Sequence, residues 1–185
     1  MATIYKKYDE SLDATFTVRP FHPEKDFDLF YEWMHKRYIA PFWKLNVSRE
    51  KLKEYINWTM SKPERKHYII ELDSKAFGFL MSYEVKSDQI KNYYKDYDET
   101  DMGKHVVIGE RHHINHKYLV PFFKIVYEVI FNQNEFVKKI VSEPDYRNKY
   151  IIPAIEGAGA KIRGNIELPH KTATLTVVKR EEFYK

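Results

Sequence analysis

The chain has 185 residues, 43% of them apolar, a length for one domain with its own core and a composition that is neither disordered nor membrane-like. It contains no cysteine, which excludes disulfides, a thiolate nucleophile and thiolate metal ligands together. Its 31 basic and 27 acidic side chains are interspersed and leave a net charge of +4, without the concentrated basic stripe of a nucleic-acid binder.

Residues 1–13 are polar and read as a loose N-terminal arm, leaving 14–185 as a single domain. Thr15 to Arg19 alternates as a short strand stopped by Pro20. Glu24 to Lys36 places Phe27, Phe30, Tyr31 and Met34 on one helical face. Ser48 opens a second helix whose Leu52, Tyr55, Ile56 and Thr59 repeat at helical spacing. Two β-type segments, His67 to Leu72 and Ala76 to Val85, flank the hairpin signal Asp73-Ser74-Lys75. Lys86 to Asp101 is a long, tyrosine-rich polar insert of the kind that serves as a lid or stays poorly ordered.

His105 to Ile108 reads as a strand after Gly103. The most periodic segment follows, with Leu119, Phe122, Phe123, Val126, Val129 and Ile130 on one face and Pro121 expected in the first turn, where proline is tolerated. Val137 to Ser142 reads as a buried strand ended by Pro144. Asp145 is then expected to cap a helix from Tyr146 to Glu156, kinked at Pro153 and closed by Gly157 and Gly159. Lys161 to Leu168 and Thr172 to Val178 finish the chain as strands around Pro169. The order, β-α-α-β-β-β-α-β-α-β-β, predicts an α/β fold with a mixed sheet covered by helices.

Four constellations carry candidate chemistry. Asp101-Met-Gly-Lys-His105 sets an imidazole at a strand opening, able to accept a proton from an amine or hydroxylamine, or else simply bonded to backbone. Glu143-Pro-Asp-Tyr-Arg-Asn148 follows the next strand, at the carboxyl edge where open α/β sheets bind ligands; Asp145 there is also a plain helix cap. Trp33 to Trp43, with His35 inside it, could wall a pocket or pack the core. His112-His-Ile-Asn-His116 has histidines three and four apart, but without a carboxylate pattern or cysteine no metal site is expected. No G-x-S-x-G elbow, P-loop or dinucleotide fingerprint occurs.

Taken together, Asp101-x-Gly103-x-His105, Glu143-Pro-Asp-x-Arg-Asn148, Ala158-Gly159 and Ile166-Glu-Leu-Pro-His-Lys-Thr-Ala173 resemble the acyltransferases of siderophore biosynthesis within the GNAT superfamily. The resemblance runs from about Phe16 to Phe183. It implies a GNAT-like mixed, splayed β-sheet and direct transfer from acetyl-CoA or another acyl-CoA to an N-hydroxylysine-like amine. By carry-over, His105 and Asp145 match the family's proposed acid/base pair. Val107, Ile108, Arg111, His116, Lys117 and Asn148 fall on the cofactor side, and Trp33, His35, Trp43 and Asp101 on the acceptor side.

Two departures from the superfamily stand out. Arg111 fits the first position of the pyrophosphate loop, but Ile114 and His116 replace glycines that allow close approach to phosphate. Ile155 stands where many members carry a tyrosine acid, and Ala160 replaces the Phe of the usual Gly-Phe ending. Acetylation of an aminoglycoside or polyamine, or a non-catalytic ligand-binding role, are the alternatives. A small-molecule amine or hydroxylamine is the expected partner, with no nucleic acid, no membrane, and a monomer or homodimer. No apolar run approaches the roughly 18 residues of a bilayer span. The polar start after Met1 lacks a secretory signal's apolar core, so the cytoplasm is the expected compartment.

Overall fold

A computed structural model describes residues 3–185. Its strands are β1 (Tyr5–Asp9), β2 (Ala14–Pro20), β3 (Arg65–Leu72), β4 (Lys75–Glu84), β5 (Met102–Ile108), β6 (Lys139–Ser142), β7 (Lys161–Leu168) and β8 (Lys171–Lys179). Between them run α1 (Pro23–His35), α2 (Ala40–Trp43), α3 (Arg49–Met60), α4 (His116–Gln133) and α5 (Ile151–Gly157), with α6 (Arg180–Phe183) at the end. The strands form one sheet in the order β1-β2-β3-β4-β5-β6-β8-β7. Every neighbouring pair is antiparallel except β5 and β6.

That one parallel pair shapes the molecule. β5 and β6 are in register only at Met102–Ile140 and Gly103–Val141, although β5 continues to Ile108. Beyond Gly103 the two strands part, and the sheet opens between its halves. The mixed, splayed sheet expected from the motifs is thus present.

Alternation on β5 assigns its side chains to two layers. Ile108 packs with Phe122, Phe123, Val126 and Ile130 of α4, all buried. Each such ring or aliphatic group contributes about 1.5–3 kcal/mol relative to exposure. Val107 faces the other way, toward Phe27, Phe30 and Met34 of α1 and Leu52 and Ile56 of α3. A third cluster joins Ile90 and Tyr94 of the insert, and Val85 just before it, to Val141, Leu175 and Val177. The insert is therefore a packed layer over β6 and β8, made of two 3-10 turns, rather than a lid or loose loop.

Four local expectations need correction. The N-terminal arm (1–13, of which 1–2 lie outside the described residues) carries β1, paired along β2 from Tyr5–Val18 to Asp9–Ala14. The Tyr5 hydroxyl donates to Glu128 of α4, and Lys7 bonds the same carboxylate at 2.6 Å, which fixes this edge. Pro121 sits in the second turn of α4, because the helix starts at His116. Asp145 does not cap α5, which begins only at Ile151; instead the Asn148 side chain accepts from the Ile151 N–H at 3.1 Å. Pro153 consequently lies in the first turn of α5, where its missing donor costs nothing, and no kink is required.

Arg19 ties β2 to α1 and β3: its guanidinium donates to Asp26 at 2.8 and 2.9 Å and to Glu71 at 2.7 Å. Burial alone pushes the Asp26 carboxyl up, but the Arg19 bonds and the His22 N–H outweigh it and the net shift is downward. A depressed carboxylate stabilises the fold above its unfolded pKa and loses that contribution as pH falls through the lower folded value. Asp26→Asn is expected to cost about 2 kcal/mol at neutral pH, since the charge is lost and the amide NH2 replaces one of two oxygens that accept from Arg19 and the His22 N–H. Denaturant titration at pH 7 and pH 4 checks this, with the gap between wild type and variant narrowing on the acid side.

Candidate active site

The cleft where β5 leaves β6 gathers the side chains that can do chemistry. His105 projects from β5 with its ring stacked on Tyr83 (centroids 5.0 Å, 21° apart) and edge-on to Trp43 at 6.2 Å. The Glu143 carboxylate at the end of β6 lies 3.8 Å from His105 Nδ1, 3.5 Å from the Tyr83 hydroxyl and 3.9 Å from Lys171 Nζ. Burial first, and then the Lys171 charge, hold the imidazole below its ordinary pKa. Burial pushes Glu143 up, against the pull of Lys171 and Lys104. Neutral His105 beside a buried, cation-supported carboxylate is an arrangement for a proton acceptor whose orientation is fixed from behind.

Asp145 lines the same cavity as His105, of about 330 Å³. Its carboxylate, however, accepts from the Arg147 backbone and guanidinium at 2.7–2.9 Å, bonds that lower its pKa. It acts as an anion bridging to Arg147, and Glu143 is the carboxylate within ion-pairing distance of His105.

A second cavity of about 410 Å³ continues from the first, sharing Phe42, Trp43, Val106, Asn148 and Ile151 with it. Its walls are Tyr38, Pro41, Phe42, Ile114 and Ile151, and Arg37, Arg111, Arg147 and Lys149 also line it. Along its floor runs the unpaired edge of β5. Val106 accepts a bond from Trp43 Nε1 at 3.2 Å, so its peptide groups face the gap. The Val107 carbonyl faces β4, where a Cβ built on Gly78 would meet it at 2.4 Å. By alternation Val106 and Ile108 offer backbone groups to the gap, and Val107 contributes only cavity wall.

This slot fits an acyl-CoA. Its apolar walls and open strand edge suit a pantetheine arm, and exposed cations suit its phosphates. Of the expected cofactor residues, Arg111, Ile108 and Asn148 line the slot. His116 and Lys117 do not. His116 Nε2 is turned onto α5, 3.1 Å from where a Gly157 Cβ would stand, and Lys117 lies over Tyr118 at 5.6 Å. Ile114, at a glycine position of the superfamily, packs partly on the core and forms wall.

The acceptor-side residues divide sharply. Trp43 lines both cavities. Trp33 is fully buried, pressed on Gly109, where a Cβ would come within 2.2 Å of its ring; it clamps the bend after β5 and touches no ligand space. His35 is exposed, its ring tilted 34° against Tyr31 at 4.2 Å and bonded to that residue's carbonyl. Asp101 is fully buried, accepts from the Asp98 N–H at 3.0 Å and pairs with Lys139 at 3.3 Å, so it anchors the insert to β6. Sequence reasoning missed Glu143, Tyr83, Lys104 and Lys171. Glu143 was visible within its motif, whereas Tyr83 and Lys171 reach the cleft only through sheet order.

Among the described residues no helix is long and apolar enough to cross a membrane, and no group of three or more metal-binding side chains converges. The acetyltransferase (GNAT) domain family matches residues 22–168. An N-hydroxyputrescine acetyltransferase from Acinetobacter baumannii is 29% identical over 93% of this chain and 81% of its own length. An N(6)-hydroxylysine O-acetyltransferase from Escherichia coli is 22% identical over 98% of this chain, which spans 57% of that relative. Among solved structures, an uncharacterised protein from Bacillus halodurans superposes with TM-score 0.91 at 26% identity, covering 99% of this chain and 93% of the other. The aminoglycoside acetyltransferase AAC(6')-Ib, solved with coenzyme A, shares the fold at TM-score 0.81 and 20% identity, over 91% and 97% of the two chains.

Proposed function

The chain belongs to the GNAT acetyltransferase family, and we propose that it transfers an acyl group directly from acyl-CoA to an N-hydroxylated aliphatic amine, as in siderophore assembly. The observation that carries this reading is the position of His105, its ring between Tyr83 and Trp43 where the sheet opens.

A base of depressed pKa cannot efficiently strip an alkylammonium before attack. It can take the proton from the far more acidic nitrogen of the tetrahedral adduct. A hydroxylamine nitrogen is unprotonated near neutrality, so it needs only that later help. Nitrogen attacks the thioester carbon, His105 accepts the proton from the adduct, and the carbon–sulfur bond breaks as coenzyme A leaves. The Val106 N–H, on the unpaired edge of β5, is the donor for the developing oxyanion. Arg111 and Lys149 receive phosphate at the slot, and Asn148 holds the start of α5 beside it.

The acceptor end argues against polycations. Lys44, Arg65, Lys104 and Lys171 line the His105 cavity against Glu143 and Asp145. An aminoglycoside or polyamine carrying several ammonium groups meets like charge there. N-hydroxyputrescine and N-hydroxylysine, named in the activities of the two relatives, carry less.

Thiol release from acetyl-CoA tests the reading with no background from the protein, which has no cysteine. Turnover with N-hydroxyputrescine or N-hydroxylysine and little with kanamycin is the expected result. Faster turnover of kanamycin would favour the aminoglycoside reading, and saturable coenzyme A binding with no turnover of any amine would favour a non-catalytic one. Arg111→Ala is expected to weaken coenzyme A binding about tenfold by calorimetry, the loss of one charge-assisted phosphate contact.

A further inference from the structure

We propose, resting on the acyl-CoA reading above, that Lys104 ends an acyl subsite for donors whose acyl chain terminates in a carboxylate. Lys104 is the first β5 residue beyond the last β5–β6 pair, so it stands at the closed end of the gap. The His105 cavity runs through that gap to Lys104, Ser142 and Ile155, on the α4 side of the sheet.

The direction of a bound donor follows from the cleft itself. The phosphate-binding cations lie by the Ile108 end of β5, and the proton acceptor is His105. A thioester brought to His105 from that end has its sulfur on the Val106 side. Its acyl chain then continues toward the closed end, which is Lys104.

Lys104 meets aromatic faces rather than a carboxylate. It is 4% exposed, and its ammonium faces the rings of Phe123 at 4.7 Å and Tyr127 at 5.6 Å. Among the described residues no carboxylate pairs with it. The Tyr127 hydroxyl in the same layer is buried without a hydrogen-bond partner. Unpaired buried charge is costly, and an anionic acyl terminus supplies what is missing. Acetyl, ending in a methyl group, does not.

Burial holds Lys104 down to about 7, with Glu143 at the end of β6 pulling it up. The other groups around it are neutral: Phe123 and Tyr127 from α4, Ser82 opposite on β4 and Ser142 from β6. Near neutrality it is therefore only partly charged, and pairing with a carboxylate draws in a proton.

Calorimetry at pH 7 with succinyl-CoA and butyryl-CoA, equal in chain length, tests the subsite in two buffers of different ionisation enthalpy. Wild type is expected to bind succinyl-CoA about tenfold or more tightly than butyryl-CoA, with proton uptake for succinyl-CoA alone. In Lys104→Met, which keeps volume and removes the buried charge, both the preference and the uptake vanish; thermal melting verifies its fold. Equal affinities in wild type, or a succinyl preference that survives in the variant, would overturn the subsite while leaving the acyl-CoA reading intact. Failure of acetyl-, butyryl- and succinyl-CoA alike to bind would overturn both.

Discussion

His105→Ala is expected to lower kcat for acyl transfer by about 10²–10⁴-fold, the range for loss of a positioned proton acceptor. The loss falls on kcat because the imidazole takes the proton as the adduct forms, and slot residues such as Arg111 remain in place. The pH dependence identifies the group. Burial and Lys171 depress His105, so the acid limb of kcat that belongs to this group lies below the ordinary histidine range. Two charge changes move that limb in opposite directions. Lys171→Met removes a cation that disfavours the imidazolium, and the limb moves up. Glu143→Gln removes a carboxylate 3.8 Å away that favours it, and the limb moves down. A limb that ignores both variants would assign the titration to another group and would sink His105 as the acceptor.

Much of the fold was legible because its signals are local. Helical spacing of Phe27, Phe30 and Met34 and of the apolar residues after Leu119 located α1 and α4, and the Asp73-Ser74 pair marked the β3–β4 hairpin. Both turn residues have positive φ, 47° and 65°, as a two-residue hairpin requires. The N-terminal strand was not legible, because Tyr5 to Asp9 is an exposed edge whose partners, β2 and Glu128, lie elsewhere in the chain. Asp145 shows a different limit. An acidic residue after Pro144 signals a cap, but the intervening Arg147 claims its carboxylate and Asn148, three residues later, takes the capping bond.

The candidate site was legible where a motif held a functional atom and misleading where it held a structural one. In Asp101-x-Gly103-x-His105 the imidazole faces the cleft, but the aspartate holds the insert to β6. Trp33 and Trp43 look alike in sequence, yet ten residues of helix and turn put one under Gly109 and the other on the cleft wall. Lys104 alternates with His105 onto the other side of the strand. Only the parting of β5 from β6 brings both to one cavity.

Gly103→Ala is the second large effect, and it follows from the same motif. Gly103 pairs with Tyr83 across β4 and β5, and a Cβ there would sit 2.2 Å from Tyr83 Cζ and 2.3 Å from Cε2. No real side chain tolerates that approach, so the Tyr83 ring must move. The ring has little room, being 1% exposed, stacked on His105 and bonded through its hydroxyl to Glu143. One methyl group is expected to cost about 3 kcal/mol of stability, the upper part of the range for overpacking. It is also expected to cost about tenfold in kcat, because displacing Tyr83 releases the face on which the imidazole rests. A smaller ring separates the two consequences. In Gly103→Ala with Tyr83→Leu the clash is relieved, and stability returns toward that of Tyr83→Leu alone, while kcat stays low for want of the stacked ring. Denaturant unfolding and single-turnover rates on the three proteins measure both. Full recovery of kcat in the double variant would show that Tyr83 merely fills space, and that Gly103 serves packing rather than the geometry of His105.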